Sequence, residues 1–321
     1  MNYLDKELLR KANEEAIYNV YMYLAHKSVP KEKETFKSIV HTLEENFKNH
    51  RGQLWSEREK RRLRILKNAI RFNSNLANSV IESLTVSKSL MTACCFLKPD
   101  KSISVVFKGT GEDEWIDNGE GLSGKSEENT YIFYEIGRGE TGRKTVYNDF
   151  ATDSQVDALN WFYMTAAKCG WEEDAKITVS GHSKGGNKAQ FVVINSMRPS
   201  LCLSFDGQGF SPEALKAFKN RLGAQYEKRR QCIHSFAAEN DYVNVLGTPL
   251  VPESNMYFFK SRMGIHHMDA ILTDMGKLRR QCEQGTLSMY VQGISGDLMQ
   301  TPPHFRHPLT TTVMSFFQKD R

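Results

Sequence analysis

No run of 18 uncharged apolar residues occurs in the 321-residue chain, so no membrane-spanning helix is expected. Its first residues, MNYLDKELLRKANEEAIYNV, carry charges throughout and lack the apolar stretch of a secretory leader. No signal peptide is therefore expected, and the expected location is cytoplasmic. Cysteines are few, and none of Cys94, Cys95, Cys169, Cys202, Cys232 and Cys282 has C-x-x-C spacing. Several lie in apolar runs, which reads as reduced core thiols rather than disulfides or zinc ligands. No metal or cofactor is expected. No internal repeat and no low-complexity tract is evident. Basic stretches have no accompanying aromatic or glycine-rich pattern, so no nucleic-acid partner is expected.

Charge is present but uneven. The formal net charge is +5. Residues 1–90 hold 17 Lys/Arg against 11 Asp/Glu, and the remainder holds 26 against 27. The basic surplus thus belongs to the amino-terminal third and peaks at EREKRRLRILK. The bland reading is a solvated helix face; the functional one is peripheral contact with an anionic membrane.

The pattern along the chain divides near residue 88. Before it, Leu4, Leu8, Ala12, Ala16 and Val20 recur at helical spacing, as do Phe36, Ile39, Val40, Leu43 and Phe47. A third helical pattern is read from Trp55 to Leu84. Residues 1–88 are expected as a helical region and 89–321 as a second domain. From Met91 the period shortens, and MTACCFL and SISVVFKG, joined by KPDK, predict a β-hairpin. Residues 110–150, rich in glycine, charge and aromatics, read as a long irregular segment of the kind that forms lids or binding loops. Trp115, Tyr131, Phe133 and Tyr134 there are candidates for shaping a pocket or for ordinary packing. Thereafter helices alternate with short apolar strands up to Ala237, which predicts a mostly parallel α/β sheet flanked by helices. Past Leu272 the chain reads as helical and then irregular, with TPPHFRHP as a loop.

One corner carries chemistry. In KITVSGHSKGGNKAQFVVI, Gly181, Ser183 and Gly185 fit G-x-S-x-G, with a β-type run before and a helix after. A serine on so sharp a turn needs glycines beside it, because side chains there would meet the neighbouring strand and helix. The first amides of the following helix can then receive a developing negative charge. The competing phosphate-loop reading fails, since Lys188 is followed by Ala189 and not by a magnesium-binding hydroxyl.

A serine needs a base and an orienting acid. Asp241, in the polar turn of QCIHSFAAENDYVNVLG, is the best acid by position; Asp206 in SFDGQGF is the alternative. Asp269 is too near the histidines in sequence to orient one of them. Among later histidines, His266 and His267 in MGIHHMDAIL lie in a loop able to reach a sheet edge, and His266 is preferred. His234 sits in an apolar strand, His304 and His307 flank prolines, and His182 is expected to pack beside the serine. For the oxyanion, the strand end VVFKGTGEDEW offers the amide of Thr110 as a partner for that of Lys184.

Together, VVFKGTGEDEWIDN, SQVDALNW, VSGHSKGGNKAQ, SFDGQGF, ENDYVNVLG and HHMDAIL resemble the lipase-like α/β hydrolases of the class 3 (fungal-type) lipase group, and most of all a bacterial branch of it. The resemblance covers roughly residues 90–275. It implies an α/β-hydrolase-like fold and a serine esterase acting on a small-molecule or lipid ester. It also implies Ser183 as nucleophile, Asp241 as acid, His266 (or its neighbour His267) as base, and Thr110 with Lys184 at the oxyanion hole. Lys108 stands where the family usually has arginine, and Lys184 where lipases proper often have an apolar residue. That lysine suits an anionic substrate or a solvent-facing position. The alternative to catalysis is a silent binding or regulatory protein on the same fold, with the basic helices as its working surface.

Overall fold

A computed structural model describes residues 4–28, 30–49, 54–86, 91–109, 115–124, 130–137, 140–147, 150–198, 200–262 and 266–319. The amino-terminal helices are α1 (Lys6–Met22), α2 (Phe36–Asn49), α3 (Glu57–Phe72) and the single turn α4 (Ser74–Ala77). Their starts are chemically marked. The Asp5 carboxylate accepts from the Leu8 amide at 2.8 Å, and Ser56 and Glu59 form a reciprocal capping box.

The single helix expected from Trp55 to Leu84 does not form. Asn73 is extended and caps α4 by accepting from the Leu76 amide at 3.0 Å. The chain then enters strand β1 (Val80–Thr85), which pairs antiparallel with β2 (Ala93–Leu97). The apolar run at Val80 and Ile81 fits a half-buried strand once a neighbouring edge is there to pair with. The boundary read near residue 88 therefore falls after the first strand of the sheet, not before it.

β2 and β3 (Ile103–Phe107) form the expected antiparallel pair. Next come α5 (Trp115–Ser123), a separate hairpin of β4 (Thr130–Gly137) and β5 (Glu140–Tyr147), and α6 (Asp153–Lys168). Much of the stretch read as irregular is thus regular. The alternation then runs β6 (Ile177–His182), α7 (Lys184–Asn195), β7 (Ser200–Phe205), α8 (Pro212–Leu222), α9 (Gln225–Arg230), β8 (Ile233–Ala238), β9 (Met256–Phe259) and β10 (Gln281–Cys282). The eight-stranded sheet has the order β1-β2-β3-β6-β7-β8-β9-β10, parallel from β3 through β9. This is an α/β-hydrolase-like arrangement.

Because β3, β6, β7 and β8 are added in one direction, right-handed crossovers put their connecting helices on one face. That face carries Val105, Phe107 and Val179 against Phe162, Phe191 and Val192. The opposite face needs a different cover, and α1 to α3 supply it. Ala16, Val20 and Leu66 join Cys94, Phe96, Val106 and Phe205 in one core. The amino-terminal helices are part of the sandwich.

The carboxyl end holds α10 (Thr286–Gln300) and α11 (Pro303–Lys319). The loop expected at TPPHFRHP is helical from Pro303 onward. Proline is well placed at a first helical position, where its missing N–H has no partner to lose. Arg306 explains why this segment is ordered. Fully buried, it donates to the carbonyls of Ser123, Met299 and Thr301 at 3.1, 2.8 and 2.9 Å and pairs with Glu213. Cys94, Cys95, Cys202 and Cys282 are buried free thiols; Cys169 is half-buried and Cys232 exposed. No helix among the described residues is long and apolar enough to cross a membrane.

Candidate active site

At the end of β6 the backbone turns through Ser183 at φ 59°, ψ −128°. A non-glycine residue holds that geometry only where its surroundings fix it. Here the Ser183 amide donates to the Phe205 carbonyl at 2.9 Å, and the Ser183 carbonyl accepts from Gly186 and Asn187 at 2.9 and 3.2 Å as α7 begins. A Cβ on Gly185 would stand 2.1 Å from the Phe107 carbonyl oxygen, and one on Gly181 2.1 Å from that of Gly185. Both glycines are required by close backbone approach.

Ser183 Oγ lies 2.8 Å from His266 Nε2, and His266 Nδ1 lies 2.6 Å from Asp241 Oδ2. Asp241 is fully buried just beyond β8. Its other oxygen accepts from the amides of Val243 and Asn244, both at 2.8 Å, which fixes the carboxylate. An ionised carboxylate accepting a ring N–H sets the imidazole tautomer, leaving Nε2 to accept from the serine hydroxyl. The arrangement can take a proton from Ser183 and hold the resulting imidazolium.

The adjacent histidine is placed differently. Among the described residues the His267 ring bonds neither Ser183 nor Asp241; burial and then Arg58 hold its pKa down at about 4. His234 lies within β8, and His304 and His307 in α11, and none of them bonds the serine. Asp206, the alternative acid, does not reach His266. It follows β7 at φ 48°, fully buried, with Oδ1 accepting from the Ala238 amide at 2.8 Å. Burial and then the nearby Asp241 push its carboxyl well above the usual range, which favours its neutral form. His182, Asp206 and His266 present donor atoms within 4.8 Å of one another. Both His266 nitrogens are already engaged by Ser183 and Asp241, so that ring has no free nitrogen to offer a metal.

Lys184 corrects the expectation of a solvent-facing or substrate-facing cation. Its side chain is fully buried, pairs with Asp117 Oδ2 of α5, and reaches the Asp117 carbonyl at 3.4 Å. Asp117 also accepts from the amide and hydroxyl of Ser154 at 3.1 and 2.7 Å. Lys184 thus ties α5 to the elbow, while its amide opens α7 beside Ser183. Thr110 lies outside the described residues. So do the side chains of Trp115, which opens α5, and of Tyr131, Phe133 and Tyr134, which lie in β4.

Residues that sequence reasoning passed over hold the loop of the base. Arg61 pairs with Asp269 Oδ2 and donates to the Leu272 carbonyl at 3.0 Å; Arg62 donates to Asp269 Oδ1 at 3.1 Å. Within the same basic peak, Lys60 bonds Glu57 and Lys67 bonds Glu44, both at 2.6 Å. Much of EREKRRLRILK is paired rather than offered as a free cationic face. The available signal was Asp269, an acid close behind the histidines that needed a partner.

No family model matches the chain, and no curated protein matches it. Among solved structures it is similar to the Lip2 lipase from Yarrowia lipolytica, with a TM-score of 0.46, 11% identity and 91% of each chain covered.

Proposed function

We propose that the chain is a serine hydrolase cleaving a carboxylic ester, with Ser183 as nucleophile, His266 as base and Asp241 as the acid that orients it. The observation supporting this most is the continuous path Ser183–His266–Asp241, at 2.8 and 2.6 Å, on one edge of the sheet. His266 Nε2 takes the hydroxyl proton as Oγ bonds to the ester carbonyl carbon. The carbonyl oxygen becomes anionic and is received by the Lys184 amide, with Thr110 as the second donor implied by resemblance. The tetrahedral intermediate expels the alcohol, which takes the proton from His266, leaving an acyl-serine. Water then attacks with His266 again as base, and acid and free serine result. The α5 segment and the β4–β5 hairpin are proposed to border the acyl group of a small-molecule or lipid ester.

Hydrolysis of p-nitrophenyl esters of increasing chain length tests this. Ser183→Ala and His266→Ala are expected to lose about 10³-fold or more in kcat, and Asp241→Asn a comparable factor, with all three folded. A wild-type rate in Ser183→Ala, or a folded wild-type chain inert to the whole series, contradicts the reading.

A further inference from the structure

The proposed mechanism leaves unused a half-buried phenol and a buried imidazole behind the serine. Tyr23 ends α1 at its C-cap. Its oxygen lies 2.5 Å from His182 Nδ1, and the Gly109 amide is a second hydrogen-bond partner. The His182 ring in turn stacks on that of His266, centroids 5.0 Å apart and planes 27° from parallel. One hydroxyl from the amino-terminal helices therefore meets the strand end before Thr110 and the residue before the nucleophile. Through a stacked ring it also reaches the base.

Its place is rigidly set. The fully buried Glu15 of α1 accepts from Ser180 Oγ at 2.8 Å and from Lys98 Nζ at 3.1 Å, and Asn19 donates to Ser180 Oγ at 3.0 Å. These contacts pin α1 to β6 three residues before Ser183. The Arg62 guanidinium stands 4.5 Å over the Tyr23 ring.

The proton inventory is consistent. With the Gly109 amide donating to the phenol oxygen, the phenol hydrogen goes to His182 Nδ1. His182 then carries its own hydrogen on Nε2, which faces Asp206 Oδ2 at 3.6 Å. The groups facing this ring are Tyr23 from α1, Arg62 from α3, Asp206 after β7, and His266 and His267 from the base loop. Burial, and then His266, Arg62 and His267, push the His182 imidazole well below its ordinary pKa.

We propose that Tyr23 is a positioning residue of the hydrolytic site, acting through His182; this rests on the serine hydrolase reading. When His266 takes the serine proton it becomes a cation. A neutral aromatic ring lying flat against it stabilises that charge through its π face. A ring free to tilt does so less well. The Tyr23 hydroxyl fixes the tilt and, as a donor to Nδ1, favours the neutral form.

Tyr23→Phe keeps the ring and its Arg62 contact and removes only the hydroxyl. The expected result is a fall in kcat of about tenfold, the effect of one net hydrogen bond, with KM unchanged. The acid limb of the pH–rate profile should move to lower pH, because the imidazolium has lost support. On a His182→Phe background the same change should cost nothing further, since the path runs through His182. Imidazole ¹⁵N spectra give a readout that needs no turnover. In Tyr23→Phe the His182 Nδ1 signal and the His266 Nδ1 proton shared with Asp241 should both shift. Unchanged signals from both rings, an unchanged kcat and pH limb, or the full tenfold loss on the His182→Phe background would each overturn the proposal. A wild-type chain without hydrolase activity overturns the hydrolase reading instead, while the spectra still decide the positioning.

Discussion

Asp117→Ala is the most informative single perturbation of the elbow. Lys184 is fully buried, and the Asp117 carboxylate is its only ion-pair partner among the described residues. Removing that carboxylate leaves an ammonium in the interior with one carbonyl at 3.4 Å, a situation that costs about 3–5 kcal/mol. Lys184→Met is the asymmetric partner experiment. It leaves Asp117 13% exposed and still accepting two hydrogen bonds from Ser154, so about 1–3 kcal/mol is expected. The double variant should cost clearly less than the sum, because no charge is then stranded. Burial alone would raise the Asp117 carboxyl, but Lys184 and then Ser154 pull it below the usual 3.8. The stabilisation it confers is therefore present above pH 4 and is lost as pH falls through the folded-state value. Urea unfolding at pH 7 reads all three variants, with m-values checked for constancy. A cost under about 1 kcal/mol for Asp117→Ala, or a larger cost for Lys184→Met, would show that the ammonium finds solvent or another partner, and the buried clamp would be refuted.

Three further outcomes follow from the same geometry. Asp206→Asn should stabilise the fold increasingly as pH rises above 4. The folded state holds this carboxyl protonated while the unfolded state releases the proton, at about 1.4 kcal/mol per pH unit until the folded-state value is passed. Equal stability differences at pH 5 and pH 7 would contradict that. Gly185→Ala should cost more than about 3 kcal/mol or prevent folding, because its Cβ would meet the Phe107 carbonyl at 2.1 Å, whereas Gly170→Ala, at φ 61° in open space, should cost about 1–2 kcal/mol. Thermal unfolding of the two variants side by side checks the contrast. His267→Gln should flatten part of the acid destabilisation between pH 6.5 and about 4, since a histidine held neutral in the fold takes up its proton on unfolding in that window.

The parts of the site that were legible in sequence were those whose chemistry demands a local pattern. Gly181, Ser183 and Gly185 announce a turn that only glycines permit, and the order serine, aspartate, histidine brought Asp241 and His266 forward as candidates while leaving Asp206 and His267 open. The alternating runs from Ile177 to Ala237 gave the parallel strands for the same local reason. What could not be read depended on partners far away in the chain. Val80–Thr85 fits a helical pattern by period and becomes a strand because the edge of β2 is there to pair with it. Pro303 and Pro308 looked like loop residues, yet Arg306 between them reaches the Ser123 carbonyl and Glu213, both far away in the chain, besides the nearby carbonyls of Met299 and Thr301. Lys184 and Arg62 looked like solvent-facing cations because single-sequence reasoning cannot see Asp117 or Asp269 folding onto them. The role of α1 was hidden for a topological reason. Only when the crossovers are known to occupy one face does it follow that the first helix must cover the other, which brings Tyr23 to His182.

The most direct measurement is intact-protein mass spectrometry after incubation with a fluorophosphonate, followed by peptide mapping. One phosphonyl adduct located on Ser183, absent from Ser183→Ala and strongly slowed in His266→Ala, is the expected result. A folded chain that takes up no adduct while a control esterase is fully modified, or an adduct that persists in Ser183→Ala, would contradict an activated serine at this corner.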